Sequence, residues 1–435
     1  MGCQYFTPCD HGADSFTIGL PKLTFGRGCL GEAGARAAAQ GMSRVALFTD
    51  PFLKDGPYLA GVQKSLQQAG IDTAIFSEIR IEPDDACVTN AANFIAQGNF
   101  DGVVSVGGGS VMDTAKASMV YGLYPTGDFL DYFGPPVGGG KPITGKLLPH
   151  LACPTTSGTG SECTSVSVIR INELNTKFVL GNPLLMPVEA LVDPACCDSL
   201  PGNIVASTGF DLLSHAIECY TAKAYTRWTK IEDPLKRPYL QGANPWSDMA
   251  ASRALEIVGE YIERGVNDSS DSEARDQLMW GATLAGMAFG NSGTHLPHAL
   301  SYGITHLMHD ITTRDYPVES PFIPHGISVI TSAPAIFRYL AEGAPERHLE
   351  AANSLGANAW DAGNDEAGEV VAGRIIELMK KTAMPNGIGD LGFSEGDVKT
   401  LAASSVRQTR AIDNAPRETN LQDIENIYAA AINYA

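Results

Sequence analysis

Asp211 and His215 stand four residues apart in GFDLLSHAIE, so on a helix both side chains lie on one face. His298, in HLPHALSYG, and His325, in PFIPHGIS, fall beside prolines or glycines at the ends of apolar stretches. One carboxylate and three imidazoles make a ligand set for a divalent transition metal. An Asp/His pair at this spacing is more often an ordinary surface pair. Here the surrounding helix is otherwise apolar, which favours a site. Three neutral imidazoles and one carboxylate leave a divalent ion with a net charge of about +1. Such an ion lowers the pKa of an alcohol and polarises a carbonyl.

A second chemistry lies in FDGVVSVGGGSVMDTAK, which reads as a buried strand, then Gly107, Gly108 and Gly109, then a helix opening at Ser110. Glycine lets the backbone approach a ligand closely, and the N–H groups of a helix start attract an anion. Ser110 and Asp113 have the spacing of a capping box. The pattern is not G-x-G-x-x-G, because Met112 holds the last position. A tight turn alone needs fewer glycines, so the run points to phosphate. After a strand ending at Cys153 comes a second cluster, in which every residue from Thr155 to Ser161 is Thr, Ser or Gly. Thr155, Thr156 and Thr159 belong to it. Two such loops predict a dinucleotide held from two sides.

Loops of this kind need a parallel sheet to present them. Short β-rich runs at 45–49, 73–76, 102–106, 148–153, 165–171 and 190–192 alternate with helical patterns at 57–69 and 84–97. Strand–helix alternation is the signature of an α/β layer structure. Beyond Asp193-Pro194 the patterns are helical, at 202–221, 247–264, 272–290, 326–340, 368–382 and 421–434. The expected organisation is an α/β dinucleotide-binding domain over 1–195 and an all-α metal-binding domain over 196–435. The stretches 223–245 and 303–324 resist assignment, and loops of that length are usually functional or disordered.

Composition narrows the function. Lys plus Arg is 30 against 49 for Asp plus Glu, a net charge of −19, which disfavours nucleic acid. No apolar run reaches the roughly 18 residues of a membrane span. The first residues lack a basic and apolar leader pattern, and nine cysteines without C-x-x-C form no disulfide or zinc framework. The expected location is the reducing cytoplasm.

The motifs GGGSVMDTAK, PTTSGTGSE, GFDLLSHAIE, His298 and PHG, in this order, resemble the iron-containing alcohol dehydrogenases. The resemblance covers nearly the whole chain. DFLDYF, KRPYLQGANPWSD, GNSGTHLPHALSY and DYPVESPFIPHGIS resemble one branch, the hydroxyacid–oxoacid transhydrogenases. It implies an α/β dinucleotide domain followed by a helical metal domain, with Asp211, His215, His298 and His325 as ligands of Fe(2+), zinc being an alternative. It implies nucleotide contacts at Gly108, Gly109, Ser110, Asp113, Thr155, Thr156 and Thr159, with Lys177 nearby. Asp50 resembles the acid that meets the adenosine ribose, which favours NAD over NADP. Many members carry another histidine four residues after the third ligand; here Tyr302 stands there.

Three readings follow. The first is hydride transfer through NAD between a hydroxyacid such as 4-hydroxybutyrate and an oxoacid such as 2-oxoglutarate. The second is an ordinary alcohol or aldehyde oxidoreductase that releases its cofactor each turnover. The third, a silent binding protein, is opposed by the intact ligand set and glycine loops. A substrate carboxylate needs a cation, and Arg237 and Arg314 lie in the segments that look specific to the branch. A homodimer or larger homo-oligomer is the family expectation.

Overall fold

The computed structural model describes residues 5–6, 9–309, 311, 313, 315–316, 318 and 321–434. Among them the strands are β1 (Lys22–Phe25), β2 (Arg44–Phe48), β3 (Asp72–Phe76), β4 (Gly102–Gly107), β5 (His150–Pro154), β6 (Val166–Ile171), β7 (Thr176–Gly181) and β8 (Glu189–Val192). Six form a parallel sheet in the order β1-β8-β5-β4-β2-β3, and β6 pairs antiparallel with β7. The first helices are α1 (Ala33–Ala39), α2 (Pro57–Gln68), α3 (Asp85–Gly98) and α4 (Gly109–Leu123).

Alternation along the strands sends side chains to two cores. Val45 and Leu47 of β2 join Leu59, Val62 and Leu66 of α2. Ala46 and Phe48 join Ala91 and Ile95 of α3 and Ala115 and Met119 of α4. Covering both faces is what lets these strands be apolar at nearly every position. The chain reverses its direction across the sheet between β2 and β4. Asp50, the glycine run and the Thr/Ser loop therefore follow the carboxyl ends of three adjacent strands, β2, β4 and β5, where such sheets bind ligands. Strands β1 and β7 lie outside the sequence expectation. KLTF is a half-exposed edge strand and TKFVLG sits in a two-stranded ribbon, so neither carries the long apolar run of a buried strand.

One compact unit is Gly19–Asp198, and the other joins Met1–Ile18 to Ser199–Ala435. The leading residues, expected in the α/β half, pack with the helical unit instead. The Thr17 backbone N–H donates to Gln241 at 2.9 Å, and Phe16 meets Tyr225 with ring centres 5.0 Å apart. These partners are over 200 residues away, so no local pattern announces the pairing.

The helical unit includes α5 (Gly202–Thr221), α6 (Pro245–Asn267), α7 (Ser272–Ser292), α8 (Leu296–His306), α9 (His325–Ile330) and α10 (Ala333–Leu340). The single helix expected over 326–340 is thus two. Pro334, lacking an N–H, sits in the first turn of α10, where that loss costs nothing. Helix α5 is buried on all sides, as Val205, Phe210, Leu212, Leu213, Ala216 and Ile217 show. Among the described residues no helix is long and apolar enough to cross a membrane.

His150 of β5 is buried, with Nε2 2.8 Å from the Ser105 hydroxyl. Burial, helped by Lys116, pushes its pKa from 6.5 down to about 3. The unfolded chain takes up a proton below about pH 6.5 that the folded chain refuses until about pH 3. Stability therefore falls as pH drops through that window, by up to about 1.4 kcal/mol per unit for this group. His150→Gln should flatten the dependence between pH 4.5 and 6.5 in urea unfolding. Parallel curves for the two proteins would show that His150 is not held neutral.

Candidate metal centre and nucleotide loops

Helix α5 carries a stripe of buried polar residues, Asp211, Ser214, His215 and Glu218, through an apolar helix. The 3.6-residue period puts them on one face. His298 lies in the first turn of α8, and His325 opens α9. Gly326 lets α9 approach α5. A Cβ there would stand 1.8 Å from the Ser207 carbonyl oxygen and 3.1 Å from the Asp211 backbone nitrogen.

The result is a ring of nitrogens around one oxygen. Asp211 Oδ1 is 3.8 Å from His215 Nε2, 3.6 Å from His298 Nε2 and 3.7 Å from His325 Nε2. These separations exceed hydrogen-bond length. Asp211 Oδ1 and His298 Nε2 are buried with no hydrogen-bond partner among the described residues. A tetrahedral centre with ligand bonds of roughly 2.1 Å holds its ligand atoms roughly 3.4 Å apart, so this donor set fits a transition-metal ion. Ligand atoms of Asp211, His298 and His325 all lie within 4.8 Å of one another. His215 joins through Asp211, and its ring stacks on Phe289 at 4.0 Å. His325 has 29% of its side chain exposed, against 4–7% for the other three, so a substrate would reach the centre past it.

Electrostatics favour a cation here. Burial opposes charge on Asp211, Glu218 and His298, and their neighbours outweigh it. His215, His325 and His298 hold Asp211 well below the carboxylate range. His298 draws Glu218 down to about 2. Glu218 and Asp211 together raise His298 to about 10. Glu218 was not singled out in the sequence. Its carboxylate accepts from His298 Nδ1 at 2.6 Å, from the Ser214 hydroxyl, and from the His295 backbone N–H at 2.7 Å. Its signal was the position seven residues after Asp211, on the same helix face.

At the other unit, α4 begins at Gly109 with Gly108 as its cap and no side-chain cap, which leaves its first N–H groups open to an anion. The expected capping box does not form. Ser110 lies inside the helix and its hydroxyl accepts from the Glu82 backbone N–H at 3.1 Å. Asp113 is buried and accepts from the Ser161 hydroxyl at 2.7 Å and the Val168 N–H at 2.8 Å. Both of its oxygens are thus engaged by the Thr/Ser loop and its strand, and it holds that loop in place. Lys116, another residue not singled out, does the same. Buried, with its pKa lowered to about 8 by desolvation, it donates to the Ser161 carbonyl at 2.6 Å and the Val166 carbonyl at 2.9 Å.

The two loops touch. A Cβ on Gly109 would stand 2.7 Å from Thr159 Cγ2, and one on Gly108 would stand 3.3 Å from Thr156 Cγ2. Close packing of the loops is therefore one reason for the glycines. Thr155 is buried and donates its N–H to Gly107 at 3.1 Å. Asp50 Oδ1 accepts the N–H groups of Phe52 and Leu53, both at 2.9 Å. Burial raises the Asp50 pKa, and those N–H groups oppose the rise. Lys177, on β7, pairs with Glu82.

Tyr302 is buried one turn after His298, its ring near parallel to His325 with centres 6.5 Å apart. The structure does not bring Arg237 to the metal group. Its guanidinium donates to the Thr17 hydroxyl at 2.6 Å and the Ser15 hydroxyl at 2.9 Å. It lines a cavity of about 190 Å³ with Trp228, Gln241 and Arg410, which none of the four candidate ligands borders. Arg314 lies outside the described residues.

Two family profiles match the chain. Iron-containing alcohol dehydrogenase matches residues 21–194, and the C-terminal part of the Fe-containing alcohol dehydrogenase family matches residues 239–432. The mitochondrial hydroxyacid-oxoacid transhydrogenase of Mus musculus is 38% identical over 419 residues, covering 96% of this chain and 90% of its own. The Homo sapiens protein of that name is 37% identical with the same coverage. Among solved structures, a 1,3-propanediol oxidoreductase is similar with a TM-score of 0.83 and 27% identity, covering 96% of this chain and 100% of its own. Sulfoacetaldehyde reductase from Bifidobacterium kashiwanohense, in complex with NAD+, gives 0.77 and 28%, covering 96% and 99%. The mitochondrial naming of the relatives overturns the cytoplasmic expectation.

Proposed function

The chain belongs to the iron-containing alcohol dehydrogenase family, and from that premise we propose that it transfers hydride, through NAD, between a hydroxyacid and a 2-oxoacid. The observation that carries the oxidoreductase chemistry is the Asp211 oxygen ringed by three imidazole nitrogens. Similarity over 96% of the chain to transhydrogenases carries the choice of substrates. Bound there, a divalent ion supplies Lewis acidity toward a substrate oxygen, and the dinucleotide supplies the hydride-carrying ring.

The residues have these roles in the proposal. Asp211, His215, His298 and His325 hold iron, and zinc suits the same donors. The open N–H groups at Gly109 and Ser110 bind the pyrophosphate, flanked by Thr156 and Thr159. The Asp50 carboxylate orients the adenosine ribose and repels a 2′-phosphate, which selects NAD. Tyr302 holds the proton exchanged with the substrate hydroxyl. Arg237, which also donates to the Ser15 and Thr17 hydroxyls, and Arg314 are the two candidates for the substrate carboxylate. Assembly as a homodimer or larger belongs to the same reading.

A second reading, an ordinary alcohol or aldehyde oxidoreductase, is favoured by the names of the solved relatives, and such an enzyme would release its cofactor each turnover. One assay separates the two. The purified, iron-loaded protein is given 4-hydroxybutyrate and 2-oxoglutarate with no added NAD. Sustained production of 2-hydroxyglutarate supports the transhydrogenase. Turnover that depends wholly on added NAD, and proceeds without any oxoacid, supports the second reading.

A further inference from the structure

We propose that Glu218 is the positioning residue that sets which nitrogen of His298 faces the metal. The inference rests on the metal reading above. Glu218 is fully buried and seven residues along α5 from Asp211. One oxygen, Oε2, accepts two backbone N–H groups, from His295 at 2.7 Å and His298 at 3.4 Å. The other, Oε1, accepts from the Ser214 hydroxyl and from His298 Nδ1 at 2.6 Å. An ionised carboxylate only accepts hydrogen bonds. His298 Nδ1 must therefore carry its hydrogen. Nε2 is then the nitrogen that would give up its proton to a metal at the point where Asp211 Oδ1 and the other imidazoles converge.

A glutamine at 218 has the same shape and cannot do this. Its amide has one accepting and one donating end. The backbone N–H groups of His295 and His298 are fixed donors, so the amide oxygen must take the Oε2 position. Its NH2 then faces His298 Nδ1, which has to accept. That puts the imidazole hydrogen on Nε2 and blocks the ligating lone pair. The opposite amide orientation keeps the tautomer, but it aims an NH2 at two buried N–H donors, which leaves them unsatisfied. Ser214 does not decide the matter, because its hydroxyl can rotate to donate or to accept. Outer-sphere carboxylates of this kind typically change metal affinity by 10–100-fold. Inversion of the tautomer puts E218Q at the upper end, about 100-fold.

The experiment measures Zn²⁺ affinity by chelator competition on the full chain, for the wild type, H298A and E218Q. NAD binding and the melting of the metal-free proteins are followed alongside. Histidine ¹⁵N NMR of the zinc-loaded proteins reports which nitrogen of His298 carries the proton. The expected result is tight binding by the wild type with His298 protonated at Nδ1. H298A should lose that affinity. E218Q should bind Zn²⁺ about 100-fold more weakly than the wild type, with NAD binding unchanged. Failure of the wild type to bind, or an H298A that binds as well as the wild type, overturns the metal reading itself. Loss in H298A with wild-type affinity in E218Q overturns only the role of Glu218. If E218Q does not fold, E218D is compared with E218N. The carboxylate should hold Zn²⁺ at least tenfold more tightly than the amide of equal length, and equal affinities overturn the inference.

Discussion

Asp211→Asn should strip the metal from the protein and lower turnover by about a thousandfold or more, with the fold kept. The substitution changes almost nothing in shape. It removes the one negative charge among the four candidate ligands, at the oxygen that lies 3.6–3.8 Å from three imidazole nitrogens. A divalent ion would then face three neutral imidazoles and an amide in a buried site, with its charge uncompensated. The dinucleotide contacts proposed at Gly109, Ser110 and Asp50 lie in the Gly19–Asp198 unit, so NAD binding should be unaffected. Elemental analysis after iron loading, steady-state rates and NAD titration check the three parts. Full metal occupancy at a normal rate would remove Asp211 from the centre.

The α5 residues Asp211 and His215 could be read from sequence because one helical period relates them. Glu218 sits on the same face, yet a glutamate in an apolar helix announces no ligand chemistry. Its partner His298 is 80 residues away, and only the packing of α5 against α8 brings the two together. The capping box failed for the opposite reason. The Ser110-to-Asp113 spacing obeys a local rule, but burial of Asp113 against Ser161 and Val168 prevails, since a buried carboxylate must satisfy its oxygens wherever donors stand. Lys116 is the same case with the sign reversed. The parallel sheet was legible because apolar runs recur between helical patterns. Its edge strand β1 was not, because an edge needs neither a long nor a wholly apolar run. Arg237 stands out in the sequence for its charge and its segment. Its actual partners, Ser15 and Thr17, come from a leading segment whose docking no periodicity reveals.

A residue with no side chain should prove nearly as costly to change as a ligand. Gly326→Ala adds one methyl group in helix α9, next to His325. By helix propensity alone the change should stabilise the protein by about 1 kcal/mol. Packing predicts the reverse. The new Cβ would stand 1.8 Å from the Ser207 carbonyl oxygen and 2.8 Å from its carbon, and both are backbone atoms of α5 that no rotamer change can move aside. Helix α9 must therefore retreat from α5, at a cost of about 1–3 kcal/mol for overpacking. His325 retreats with it, away from Asp211 Oδ1 at 3.7 Å. A misplacement of about 1 Å can cost about a hundredfold in rate. G326A should melt at a lower temperature, bind zinc more weakly and turn over about a hundredfold more slowly, while NAD binding stays intact. The sign of the melting shift decides between the two arguments. A variant at least as stable as the wild type, with its metal affinity unchanged, would mean that propensity wins and that α9 does not need the glycine to bring His325 to the centre.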